Sequence, residues 1–224
     1  MPLKGYKEDF LVHLIWTGAI KFGDFKLKSG RVSPYFINIA EAMRTGRDAV
    51  KVADAYVAAI AEIGTDFDYI HGAAYKGIPL SVLVAVRLQQ LEEIDKKWGY
   101  ERKEKKGHGV PEEEVLVGYL RNGDKVLIVD DVITTGATKI LVWEKLETVR
   151  EVKPKGILVA VDREELSEED EKMLRERKLK LYSILKITEI FEFLFNREIK
   201  NKLYVDEKLK SDFEEYFKKY GKQY

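Results

Sequence analysis

The chain has no cysteine, which excludes disulfides, thiolate catalysis and cysteine-ligated zinc. It has no run of 18 apolar residues, so no segment reads as a membrane span. Its opening residues lack the apolar core of a signal peptide, and the expected location is the cytoplasm. Excess charge of one sign is also missing. The 39 basic residues balance 39 acidic ones, so no global field recruits nucleic acid and any basic site must be local. There is no internal repeat and no low-complexity linker. What remains is 224 residues, 45% of them hydrophobic, enough for one proper core. A single domain over 1–224 is expected. Charged residues reach 35%, which suits either a thermophilic source or simply a charge-rich surface.

The most informative stretch is Val126-Leu-Ile-Val-Asp-Asp-Val-Ile-Thr-Thr-Gly136. Val126 to Val129 reads as a buried parallel strand, because such strands are unbroken apolar runs. Two carboxylates follow, then a turn rich in Thr and Gly, then a helical pattern opening at Ala137. A helix start offers unpaired N–H groups and a positive dipole end, hence an anion cradle. Thr134, Thr135 and Thr138 add hydroxyl donors, and Gly136 permits close approach. Asp130 and Asp131 would repel a phosphate lying on them but would accept hydrogen bonds from hydroxyls beside one. A sugar phosphate has that pattern. A lone Asp-Asp would be an ordinary solvated junction.

Along the chain, helical periodicity covers about 6–16, and 22–27 with 33–39 predict a hairpin. Asp48 is placed as the cap of a helix reaching Ile63. A short strand spans 67–71, and a helix with Pro79 in its first turn runs to about Lys96. Residues 100–114 read as loop and 115–119 as a short strand. A helix to about Glu151, a strand at 156–161, a helix at 168–177 and a strand at 179–187 come next. Thr188 is placed as a cap for a helix through Phe195, and 206–220 as a terminal amphipathic helix. Alternating strands and helices predict an α/β fold, a parallel sheet with helices on both faces. Residues 1–45 form a hood lobe, 46–195 the α/β core and 196–224 the C-terminal helix. Ligands of such sheets sit beyond the strands' carboxyl ends. That gathers the loops after His71, Asp130 and Asp162.

The first of these loops, His71-Gly-Ala-Ala-Tyr-Lys-Gly-Ile-Pro79, has glycine spacing like a nucleotide P-loop. Ile78-Pro79 stand where Lys and Ser/Thr would be required, so that reading fails. A pyrophosphate-gripping turn with Lys76 remains, against glycines that serve only packing. His71 is read as a structural histidine. Glu101-Arg-Lys-Glu-Lys-Lys-Gly-His-Gly109 is either a solvated charge run or a basic lid whose Arg102, Lys103, Lys106 and His108 meet a leaving anion. In Lys28-Ser-Gly-Arg-Val-Ser-Pro-Tyr-Phe36, Lys28 can reach an anion. Tyr35 and Phe36 either meet a planar base or belong to the core, alternation turning one inward. Arg163 either forks onto a ligand carboxylate or pairs on the surface with Glu164 or Glu165.

The 126–136 segment resembles the phosphoribosyl pyrophosphate (PRPP) loop of type I phosphoribosyltransferases. With Lys28 to Phe36, Ala74-Tyr-Lys-Gly-Ile-Pro79 and Arg102 to Gly109 in order, nearly the whole chain resembles the orotate phosphoribosyltransferase family. The resemblance implies that PRPP contacts fall on Lys28, Tyr75, Lys76, Arg102, Lys103, Lys106 and His108, and on Asp130, Asp131, Val132, Ile133, Thr134, Thr135, Gly136, Ala137 and Thr138. Orotate contacts would fall on Tyr35, Phe36, Thr134 and Arg163. The implied catalytic residues are Lys106, His108, Asp130 and Asp131. The implied cofactor is magnesium, carried mainly by PRPP with no direct side-chain ligand and Asp131 as a candidate contact through water. The implied assembly is a homodimer sharing a lid, with no nucleic acid and no membrane partner. Two departures stand out. His71-Gly72-Ala73 replaces a frequent Phe-Gly-Pro, and Val110-Pro-Glu-Glu-Glu-Val115 replaces a Gly-rich return. A purine or uracil transferase of the same fold, or a non-catalytic PRPP sensor that binds DNA, would be the rival readings.

Overall fold

The computed structural model describes residue 3 and residues 5–27, 30–102 and 115–222. The first helix, α1 (Gly5–Trp16), leads into an antiparallel hairpin of β1 (Ile20–Lys26) and β2 (Val32–Ile37). Helix α2 (Gly46–Ile63) begins the layered core. Its cap is Thr45, not Asp48. The Thr45 hydroxyl accepts from the Asp48 N–H at 3.2 Å and donates to the Asp48 carboxylate at 2.7 Å, so Asp48 completes the cap from inside the helix.

β3 (Tyr69–Gly72), α3 (Gly77–Glu92), β4 (Lys97–Glu101) and β5 (Leu116–Gly118) follow. α3 stops earlier than its periodicity suggests, because Glu93 adopts a left-handed backbone, φ 56°. The sequence read as helix end and loop thereby supplies β4. That strand needs Gly99, where an added β-carbon would lie 2.0 Å from the Tyr69 hydroxyl oxygen and 2.1 Å from the Val117 carbonyl.

β6 (Lys125–Ile133), α4 (Ala137–Val149), β7 (Lys153–Asp162), α5 (Glu168–Glu176), β8 (Leu181–Lys186) and α6 (Ile187–Leu194) complete the core. A two-residue-per-strand hairpin, β9 (Glu198–Ile199) and β10 (Lys202–Leu203), precedes the last helix, α7 (Glu207–Tyr220). Asp206 caps α7 by accepting from the Leu209 N–H at 2.8 Å. Thr188 is no cap. It lies inside α6, and its N–H and hydroxyl both donate to Glu164, at 3.1 and 2.6 Å.

The main sheet has the order β5-β4-β3-β6-β7-β8. All its pairings are parallel except that of β4 with β5, which is antiparallel. The expected parallel sheet therefore carries one reversed edge strand. Both faces are covered, which explains the apolar runs. Leu127, Val129, Leu158 and Ala160 pack into a cluster with α1, α2, α3, α6 and α7. Val126, Ile128, Ile157 and Val159 pack on the other face with Ile140, Trp143, Leu146 and Leu174. The β1–β2 hairpin is held by aromatic rings. Phe22 meets Phe191 edge-on at 5.5 Å, Tyr35 meets Phe191, Phe213 and Tyr216, and Phe191 stacks on Phe213 at 3.8 Å.

Candidate active site

Sheet order locates the site. From β3 the chain proceeds outward to β4, and from β6 it proceeds outward the other way to β7 and β8. The strand order reverses between β3 and β6, and a crevice opens there beyond the carboxyl ends. The loops after β3, β6 and β7 are neighbours, as expected. The backbone fixes the third of them, since the Arg163 N–H donates to the Ile133 carbonyl at 3.2 Å.

β6 continues through both carboxylates to Ile133, so the turn starts at Thr134 rather than after Val129. Asp130 and Asp131 are therefore strand residues whose side chains leave opposite faces. Their partners agree. Asp130 forms a buried ion pair with Lys139 from the first turn of α4 and accepts the Asp131 N–H at 2.8 Å. Asp131 pairs with Lys76 at 2.6 Å, from the loop after β3. The Tyr56 hydroxyl donates to the Asp130 carbonyl at 2.6 Å. Burial pushes the Asp130 carboxyl up to about 6, against the pull of Lys139 and with help from Asp131.

The loop after β3 is tightly built. A β-carbon on Gly72 would lie 2.2 Å from the Gly77 carbonyl, and one on Gly77 would lie 2.6 Å from the Val129 carbonyl. These glycines do serve packing, and that packing sets the start of α3 against β6. The Ala74–Tyr75 peptide is cis. Tyr75 is exposed, and Lys76 is partly exposed. Thr134 is half-buried, while Thr135, Ala137 and Thr138 are exposed around a buried Gly136 at the head of α4.

The third cluster lies behind the hairpin. Tyr35 is fully buried and Phe36 is exposed, the split that alternation predicts. Arg163 is neither free nor on the surface. Its Nε and Nη2 lie 3.0 and 2.8 Å from one oxygen of Glu165. That oxygen also accepts from the hydroxyls of Tyr35 (2.9 Å) and Tyr216 (3.1 Å). The guanidinium stands over the Tyr35 ring at 4.7 Å.

The structure thus brings Lys76, Asp131 and the Thr134–Thr138 turn together. Asp130 is nearby but turned toward Lys139, and Arg163 and Tyr35 are gathered on Glu165. Lys28, Lys103, Lys106 and His108 lie outside the described residues, and Arg102 is half-buried with its Nε enclosed, its backbone N–H donating to the Val115 carbonyl at 2.7 Å. Lys139 escapes a reading of the sequence, and so does the grip of Glu165 on Tyr35 and Tyr216, although its pair with Arg163 is one of the two alternatives. A lysine after Gly-Ala-Thr looks like helix surface, and Glu165 looks like one more acid in a charged run.

The chain matches the phosphoribosyl transferase domain family over residues 44–184. It is 39% identical over 225 residues to an orotate phosphoribosyltransferase of Clostridium acetobutylicum, covering 98% of this chain and 99% of that one. It is 39% identical over 196 residues to one from Pseudomonas fluorescens, covering 86% and 90% respectively. A crystal structure of orotate phosphoribosyltransferase from Francisella tularensis superposes with a TM-score of 0.78 at 30% identity, covering 95% of this chain and 99% of that one. The switch-point crevice and these likenesses together place the chain in the orotate phosphoribosyltransferases, transferases of the type I phosphoribosyltransferase family.

Proposed function

We propose that this protein transfers the phosphoribosyl group of PRPP to orotate in a magnesium-dependent reaction. The products are orotidine 5'-monophosphate and pyrophosphate, and the setting is pyrimidine nucleotide synthesis. The observation that carries this reading is the 2.6 Å Lys76–Asp131 pair across the β3–β6 crevice. It sets a hydroxyl-accepting carboxylate beside a phosphate-attracting ammonium, the charge pattern of a ribose that bears a pyrophosphate.

In this reading Val132 to Thr138 wrap the 5-phosphate, with the α4 N-terminus and the threonine hydroxyls donating. Asp131 takes the ribose hydroxyls, and Asp130 joins it once Lys139 yields. Tyr75 and Lys76 face the pyrophosphate, joined by Lys28, Arg102, Lys103, Lys106 and His108. The orotate ring nitrogen bonds to the anomeric carbon while the bond to pyrophosphate breaks, and the electron pair leaves on the pyrophosphate oxygen. The carboxylates favour the cationic ribose ring electrostatically, and Lys106 and His108 assist the leaving group. Magnesium, when bound, supplies further neutralisation of the leaving charge. The residues present fit an ion carried by its substrate, since Asp131, buried and bonded to Lys76 through Oδ2, offers one carboxylate at the crevice and magnesium commonly uses one or two, keeping several waters. Phe36 and Thr134 border the base, and Arg163 reads its carboxylate in competition with Glu165.

Exposed apolar residues on α3 (Val86, Leu91), on β4 (Trp98) and just after β5 (Tyr119) support a homodimer. A cytoplasmic setting completes the reading.

One assay decides. The protein is mixed with magnesium, PRPP and each base in turn, and ultraviolet absorbance follows nucleotide formation. Product with orotate alone is expected. Product with a purine or uracil instead moves the assignment, and no product with any base favours a PRPP sensor. Lys106→Ala is expected to lower turnover by about two to three orders of magnitude with orotate binding little changed. Wild-type turnover in that variant would remove Lys106 from the catalytic set.

A further inference from the structure

Glu101 ends β4, beside the carboxyl end of β3, and is only 4% exposed. A carboxylate this deep is costly unless both oxygens are met. Both are. Oε1 accepts the Ala74 N–H at 2.8 Å, and Oε2 lies 2.7 Å from His71 Nε2. His71 is fully buried and stacks on Tyr69. Burial alone would raise the Glu101 carboxyl, yet it is held below its usual range by His71 and the Ala74 amide. An ionised carboxylate only accepts, so His71 Nε2 carries the hydrogen.

The bonded amide is the notable one. Ala74 opens the turn from which Tyr75 and Lys76 project, and Lys76 reaches Asp131 at 2.6 Å. Ala73 and Ala74 bring no proline to stiffen that turn and no side chain long enough to anchor it. Ala73 is tied to β6 by its N–H on the Val129 carbonyl at 3.1 Å. Within the turn the Gly77 N–H donates to the Ala73 carbonyl at 2.8 Å, and Glu101 supplies an anchor from the neighbouring strand.

We propose that Glu101, clamped by His71, is a positioning residue that fixes the Ala74–Lys76 turn for binding the pyrophosphate end of PRPP. This rests on the functional reading above. Glu101 touches no substrate. It acts by aiming Lys76, so its removal weakens PRPP binding and leaves orotate recognition alone.

The test is calorimetric titration of each protein with magnesium and PRPP, together with the two Michaelis constants. Glu101→Ala loses both bonds and should weaken PRPP binding at least about tenfold, the ordinary effect of a lost charged hydrogen bond, while KM for orotate stays within about twofold. Glu101→Gln keeps an acceptor for Ala74 but sets its amide N–H against His71 Nε2, whose other tautomer would bury an unpaired Nδ1–H, so it should bind PRPP more tightly than Glu101→Ala and less tightly than wild type. If Glu101→Ala does not fold, His71→Phe removes the clamp with little change in volume, and it should weaken PRPP binding about threefold or more. PRPP affinity within about twofold of wild type in every folded variant would refute the positioning role, as would equal losses toward PRPP and orotate. A wild-type protein that does not bind PRPP at all would instead overturn the functional reading itself.

Discussion

Asp130 lies three residues before the end of β6 and Asp162 ends the neighbouring β7, and burial pushes the carboxyls of both up to about 6. A carboxyl raised above its unfolded value of 3.8 binds more protons in the native state. The contribution of these two carboxyls to stability therefore falls as pH rises from about 4 to about 6 and then levels off. Asp162→Asn keeps the acceptor for the Glu164 N–H and removes the penalty. It should gain on the order of 1–2 kcal/mol at pH 7.5 and little at pH 4, read by urea unfolding at both values. Equal gains at the two values would mean that packing, not ionisation, is responsible. Lys139→Met acts in the opposite sense. It leaves Asp130 buried without its cation and should cost about 3–5 kcal/mol at pH 7.5. The loss should shrink below pH 5, and a second change, Asp130→Asn, should restore most of it.

At the scale of elements, legibility tracked how local the cause was. β6, β7 and the helices around them announce themselves, because burial on both faces writes continuous apolar runs into the chain. β4 does not. Lys97-Trp-Gly-Tyr-Glu101 alternates around a glycine and owes its strand form to β3 and β5 on either side. α3 gives no warning of its end, since Glu93 takes a left-handed backbone that residue type rarely signals. The acidic pair looks like the start of a turn and is instead the last part of a strand, which separates two side chains that adjacency in sequence would unite. Trp143, 1% exposed on α4, fastens that helix to the sheet behind the Thr134–Gly136 turn. Trp143→Ala should cost about 3–5 kcal/mol in chemical denaturation, a large part of a stability of about 5–15 kcal/mol. A cost below 1 kcal/mol would show that the site collapses around the gap.

Across the whole molecule, the rhythm of strands and helices gave the fold class and the three loops of the site. Long-range pairing stayed hidden, because nothing near residue 165 in sequence reports that Glu165, besides Arg163, gathers Arg31, Tyr35 and Tyr216. The proposed homodimer predicts a sedimentation mass near twice 25.9 kDa under assay conditions. An active monomer would refute a shared site. The ring cluster behind Tyr35 draws on β2, α6 and α7, so it needs both ends of the chain. The crevice between β3 and β6 draws only on the middle. During synthesis on a ribosome that crevice can take shape early, whereas the wall behind Tyr35 must wait until Tyr216 has emerged.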